Sequence, residues 1–288
     1  MSTENFIAFV KERHAIYMRR YSGQPKPWTD DPILQQYRFC NVFRELDSVT
    51  EWIADIWRTP YAADPDLWFA MVVARLVNWP DTLEPLTSVM FSRDKVSWYP
   101  KQFVRILHDR KKRGEKVFSG AYIVSTNGHT MDKAEYLAAH VLTPLWQARK
   151  QLRIDLSVQK NFTWRAWHEK LVQFDGLGSF MAAQVVADIK YAAPYLGVSD
   201  WYTFAASGPG SRRGLNRVLG RPVDSPWREE DWRRALVPVY EAARAYMREV
   251  CEPPMHAQDV QNCLCEFDKY ERTRLGEGKP RSKYNGGA

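Results

Sequence analysis

Several side chains in this sequence have the types and spacing that chemistry on an anionic substrate needs. Arg38, Asn41 and Arg44 follow one another at three-residue intervals, the spacing that shares a helix face. On such a face an amide can read the edge of a base, and guanidiniums can hold phosphate oxygens in bidentate pairs. The same residues could equally cap and brace neighbouring helices, and Asp47 continues the series as a partner for Arg44. Gln184 and Asp188 lie four apart on an apolar stretch, where a polar group must find a partner, either structural or substrate. Asp200 is a carboxylate that could serve as a general base. Ser199-Asp200-Trp201 also reads as a helix start with Asp200 as its cap, and Asp188 is then the next carboxylate.

Two glycine motifs could meet anions. In Phe174-Asp175-Gly176-Leu177-Gly178-Ser179, Gly176 and Gly178 make a tight hairpin before a helix rich in small residues. Glycine lets the backbone approach a neighbour and leaves amides at the helix start for a phosphate. Gly208-Pro209-Gly210-Ser211-Arg212-Arg213 opens another helix with two arginines in its first turns, an anion site or a solvated basic start. Glu266, Asp268, Lys269 and Tyr270 form a dense polar end to the last helical pattern, with Gln261 and Asn262 a turn earlier and Asp259 a possible cap. The spacing of Cys251, His256, Cys263 and Cys265 matches neither a paired Cys-x-x-Cys zinc site nor an iron–sulfur loop. The cysteines read as buried thiols without metal, and no cofactor is expected.

The elements that must hold these residues are helices. Apolar residues recur at helical spacing over residues 4–21, over a long pattern from Ile33 to Trp57, and from Asp66 to Leu76. Further stretches run roughly over 100–113, 131–152, 162–173, 179–192, 228–250 and 256–272. Ala121–Ser125 is the one convincing strand-like run. The expected fold class is therefore mostly all-α, one compact domain over 1–271 with a basic tail over 272–288.

Lys and Arg number 41 against 34 Asp and Glu, a surplus that suits a polyanion because neutralised phosphates release counterions. The 12 Trp beside 14 Tyr and 13 Phe supply stacking platforms as well as core. No apolar run reaches the ~20 residues that span a bilayer, and the first residues lack a signal peptide's pattern. Four cysteines make no disulfide framework. The expectation is a cytoplasmic protein.

The hairpin with its following helix resembles the helix-hairpin-helix of the DNA glycosylase superfamily, whose hairpin amides hold a DNA phosphate. Asp200 stands close to the offset at which those enzymes carry a catalytic aspartate. Phe180 stands near the position where strand-cleaving members carry a nucleophilic lysine, which argues against Schiff-base chemistry. A wider resemblance runs through residues 37–47, 118–123, 178–184, 206–214 and 259–270. These phrases resemble the alpha-glutamyl/putrescinyl thymine pyrophosphorylase family of bacteriophages, whose helical module also occurs in phage 5-hydroxymethyluracil DNA kinases. The resemblance implies a glycosylase-like helical fold and a double-stranded DNA partner carrying modified thymine. It also implies a small amine co-substrate, an amino acid or polyamine, which displaces pyrophosphate from the 5-substituent, and a functional link to such a kinase. On that reading Asp200, Asp188 and Asn41 would be catalytic, and Arg38, Arg44, Gln184, Glu266 and Lys269 would hold substrate and pyrophosphate. Gly176, Gly178, Gly208, Gly210, Arg212 and Arg213 would meet DNA in the infected host's cytoplasm. No Gly-x-x-x-x-Gly-Lys-Ser/Thr loop occurs in these residues, so the kinase step is not expected here. The rival readings are a base-excising glycosylase, which would share Asp200 and the hairpin, and a non-catalytic DNA-binding partner of the kinase.

Overall fold

The computed structural model describes residues 3–120, 125, 126, 128–249, 254–280, 283 and 284. In chain order the helices are α1 (Thr3–Tyr21), α2 (Pro32–Gln36), α3 (Ser48–Ile53), α4 (Leu67–Val77), α5 (Pro80–Met90), α6 (Pro100–Lys112) and α7 (Lys133–Tyr136). They continue with α8 (Thr143–Gln147), α9 (Arg149–Leu152), α10 (Trp164–Leu171), α11 (Ser179–Ile189), α12 (Pro209–Val218), α13 (Glu229–Glu249) and α14 (Ala257–Arg274). Among the described residues there is no strand, only a lone bridge between Tyr37 and Lys283. The all-α class therefore holds; most of the strand-like run, Ala121–Val124, lies outside the described residues.

The long helix read over 33–57 is not formed. Asp31 caps α2 by accepting from the amides of Ile33 and Leu34, and α2 ends at Gln36. Beyond it the Asn41 side chain donates to Leu46 O at 2.6 Å, while the Asp47 carboxylate accepts the Asn41 amide at 3.1 Å. Such local side-chain bonds to backbone compete with a helical ladder. Apart from a 3-10 turn over Arg44–Leu46, helix resumes only at Ser48.

Chain contacts group the residues into two units, one made of Met1–Asp47 with Tyr202–Ala288 and one of Ser48–Trp201. The first unit packs α1, α12, α13 and α14 around Phe6, Val10, Trp232, Leu264 and Phe267. Its α12 and α14 come close because Gly214 has no side chain. A Cβ there would sit 2.1 Å from Leu264 O, and one on Gly210 would sit 3.3 Å from the Cys265 side chain. α14 continues past 272 to Arg274, and farther on the Tyr284 amide donates to Gln36 O at 2.8 Å.

The second unit is built on two helices that are apolar nearly all round, as central helices must be. Every residue of α4 is buried, as is Met181–Ile189 of α11. Arg75 is the lone charge in α4 and Asp188 the lone charge in α11.

Candidate functional site

The hairpin lies in the second unit, where α10 leads through a turn into α11. Gly176 has φ +77°, a conformation that favours glycine, and a Cβ there would meet Val141 at 2.6 Å. Gly178 precedes α11, and open space lies where its side chain would be. His168 Nε2 donates to Ser179 O at 2.9 Å, tying α10 to the start of α11.

Asp200 occupies the other end of α10. Its two carboxylate oxygens accept the amides of Trp164 at 2.9 Å and Arg165 at 3.0 Å. It caps a helix distant in sequence, and no helix starts at Asp200 itself, the next being α12 from Pro209. The placement satisfies orphan helix amides and sets a negative charge at the positive end of the helix. Lys190 and Trp201 hold the loop that delivers it. Lys190 Nζ donates to Trp201 O at 3.2 Å and Trp201 Nε1 donates to Lys190 O at 2.7 Å.

Asp188 is sealed in the same unit. Arg75 Nε and Nη2 donate to its two oxygens, each at 2.5 Å, and Arg75 also reaches Asn78 Oδ1 at 3.1 Å and Thr50 Oγ1 at 3.0 Å. Arg58 donates to the Asp188 carbonyl at 3.4 Å. Gln184 is buried one turn earlier on α11.

In the first unit an extended segment, not a helix face, brings the remaining candidates together. The Cys40 amide donates to Glu266 Oε2 at 3.0 Å, and Lys269 Nζ lies 2.5 Å from that oxygen. Lys269 also donates to Arg38 O at 2.9 Å and sits 4.5 Å from the centre of the Phe39 ring. Buried Arg13 holds the segment from below, donating to Phe39 O at 3.2 Å and Cys40 O at 3.0 Å. The Arg44 amide donates to Asp259 Oδ1 at 3.2 Å, and Asp259 Oδ2 accepts the His256 amide at 3.0 Å, which makes Asp259 a helix-start brace. Arg38, Glu266 and Lys269 thus meet where segment 37–47 crosses α14, with the Arg38 side chain exposed and the Asn41 side chain turned to Leu46 O of its own segment.

The helix opened by Gly208 forms as read, and the Ser211 hydroxyl accepts the Gly208 amide at 2.9 Å. Its arginines reach carboxylates of their own unit. Arg212 donates to Ser207 Oγ at 2.7 Å and Glu229 Oε2 at 3.2 Å, and Arg213 pairs with Asp224 and, at 3.2 Å, with Asp268. Burial pushes the Cys265 thiol up to about 12. Among the described residues no group of three or more His, Cys, Asp and Glu is placed to hold a metal; Cys251 lies outside them.

The family model for the helical domain of 5-hmdU DNA kinase matches residues 1–280. This chain belongs to that family. The 5-hmdU DNA kinase of Bacillus phage SP10 is 27% identical over 229 residues, which are 74% of this chain and 35% of that protein. The chain thus spans about a third of the length of the curated relative it matches. No solved structure matches it.

Within this kinase helical domain, the sequence reading missed buried cations that organise the candidates. Arg13, Arg75, Lys190 and Arg217 are all buried, and Arg217 joins Asp268 at 2.7 Å while also reaching Glu277. Arg75 carried a legible signal. A lone arginine in one apolar helix and a lone aspartate in another each need a partner, and each is the other's solution. Arg13 and Lys190 carried no such signal, since the hydrogen bonds they make to Phe39 O, Cys40 O and Trp201 O are to backbone carbonyls.

Proposed function

We propose that this helical domain binds duplex DNA carrying 5-hydroxymethyluracil-derived bases and serves their hypermodification. In that reading an amine displaces pyrophosphate at the base's 5-methylene. Membership of the 5-hmdU DNA kinase helical-domain family over residues 1–280 is the observation that supports it. The phrases resembling the phage thymine pyrophosphorylases supply the finer chemistry. The C–N bond forms as the C–O bond to pyrophosphate breaks, with the electron pair leaving on the phosphate oxygen. The attacking ammonium must first lose a proton to a carboxylate, and cations must meet the departing charge. Asp188 is sealed against Arg75 and both Asp200 oxygens accept helix amides, so the carboxylate and cations are assigned instead to the partly exposed ion pair of Glu266 and Lys269 and to the exposed Arg38, with Asn41 on the same segment. The hairpin amides after Gly178 would hold a DNA phosphate, and the target base would leave the stack to expose its 5-substituent.

A second reading, a DNA-binding module that serves a kinase without chemistry of its own, is favoured by that same engagement of Asp188 and Asp200. Nucleoside mass spectrometry separates the two. The protein is incubated with DNA containing 5-hydroxymethyluracil or its pyrophosphorylated form and a panel of amino acids and polyamines. The transferase reading expects an amine-bearing nucleoside and released pyrophosphate from the pyrophosphorylated DNA alone. Unchanged nucleosides with every amine overturn it in favour of the binding module, and abasic sites would indicate base excision.

A further inference from the structure

The segment from Tyr17 to Trp28 takes no part in either arrangement above. It carries Arg19, Arg20 and Lys26 and no carboxylate, interleaved with Tyr17, Tyr21 and Trp28. His14, Tyr17 and Tyr21 stack along α1, with ring centroids 6.3 Å and 6.0 Å apart and planes within 16° and 18° of parallel. Tyr21 ends this ladder 79% exposed. The chain then turns back and is tied down. Trp28 Nε1 donates to Gln24 O at 2.7 Å, and Arg19, paired with Glu12 at 3.0 Å, also reaches Trp28 O. The Arg20 guanidinium lies 5.2 Å and the Lys26 ammonium 5.0 Å from the Trp28 ring centre, with Tyr284 edge-on to the same indole at 6.3 Å.

The surface therefore combines an ordered stack ending in water with the cations of residues 19–26, and of the carboxylates next to the segment Asp30 is exposed. Glu12 holds Arg19, and Asp31 caps α2 and accepts the Tyr270 hydroxyl at 2.6 Å. Rings that stack on bases beside cations that track phosphates are what single strands require. A duplex hides its base faces and cannot use an exposed ring in this way.

We propose that this surface of the first unit binds single-stranded DNA, Tyr21 stacking on an unpaired base while Arg20 and Lys26 meet the phosphates. The inference rests on the DNA-directed reading above and adds a strand-binding surface outside the hairpin.

The test uses the full chain, a labelled oligothymidylate and, in parallel, an unmodified duplex, followed by fluorescence anisotropy. Tyr21→Ala is expected to weaken oligothymidylate binding by about tenfold, whereas Tyr21→Phe binds as the parent does. Arg20→Ala combined with Lys26→Ala should reduce the slope of log affinity on log salt by about 1.4, or about 0.7 per cation on a single strand. Duplex affinity should stay at the parent level in Tyr21→Ala, whose exposed position leaves the helical circular dichroism intact. A parent protein that ignores oligothymidylate, or a Tyr21→Ala protein that binds it unchanged, overturns the proposal. If duplex binding persists in that case, only this inference falls. A protein that binds neither DNA removes the proposed function as well.

Discussion

Asp200 accepts two backbone amides at once, so asparagine is not a neutral replacement for it. The amide side chain offers one oxygen and turns an NH2 toward the other donor. Asp200→Asn should therefore lower stability by about 1–2 kcal/mol, read as a shift in the urea midpoint. A midpoint unchanged from the parent would contradict the double cap. Asp188 and Arg75 set a steeper case. Removing the carboxylate alone with Asp188→Ala strands a buried guanidinium and should cost about 3–5 kcal/mol. Replacing both partners, as Arg75→Met with Asp188→Leu, should cost less than either single change. Equal additive losses in the urea midpoints of the double-mutant cycle would show that the pair is not coupled. The hairpin glycines also part company. Gly176 has a positive φ and Val141 against it, so a side chain there disturbs the fold. Gly178 faces open space and is the cleaner probe: Gly178→Val should lower duplex affinity while leaving the helical circular dichroism intact.

Among the elements, those with continuous apolar periodicity were legible, and those governed by local hydrogen bonds were not. α6, α13 and α14 fall within a few residues of the ranges their periodicity predicts. The pattern over 33–57 has the same periodicity, but the Asp31 cap and the Asn41–Asp47 bonds break it. Arg38 and Arg44 consequently meet α14 at separate points, Arg38 O at Lys269 and the Arg44 amide at Asp259, a tertiary arrangement that spacing alone does not encode. The contact of α12 with α14 was hidden for a related reason. Gly210 reads as an anion-site or loop glycine and Gly214 carries no reading of its own, and only the crossing shows that a Cβ on Gly214 would strike Leu264 O. Gly214→Ala should cost about 1–3 kcal/mol by forcing these helices apart, measured by thermal or urea unfolding. In the second unit Asp132 caps α7 and pairs with Lys111 at 2.6 Å and His108 at 3.0 Å. Burial opposes its ionisation, yet these bonds outweigh it and hold its carboxyl at about 2. Because that value lies below the unfolded one, the stability it contributes is complete above about pH 4 and is lost as pH falls toward 2. Asp132→Asn should flatten stability against pH across that window, and an acid-unfolding curve unchanged by the substitution would contradict this assignment.

For the molecule as a whole, the excess of 41 basic over 34 acidic residues and the kinase helical-domain membership both support the proposed DNA partner. Neither depended on a particular side chain, which is why the broad class was legible before the site was. The central claim is that the chain engages DNA through phosphates and recognises the modified base. Equilibrium binding to three duplexes of one sequence, carrying thymine, 5-hydroxymethyluracil or its pyrophosphorylated form, tests it over a range of salt. All three should show a slope of log affinity on log salt steeper than about −3, as several phosphate contacts at about −0.9 each require, with the pyrophosphorylated duplex bound most tightly. Equal affinity for all three duplexes, or binding indifferent to salt, would contradict the account.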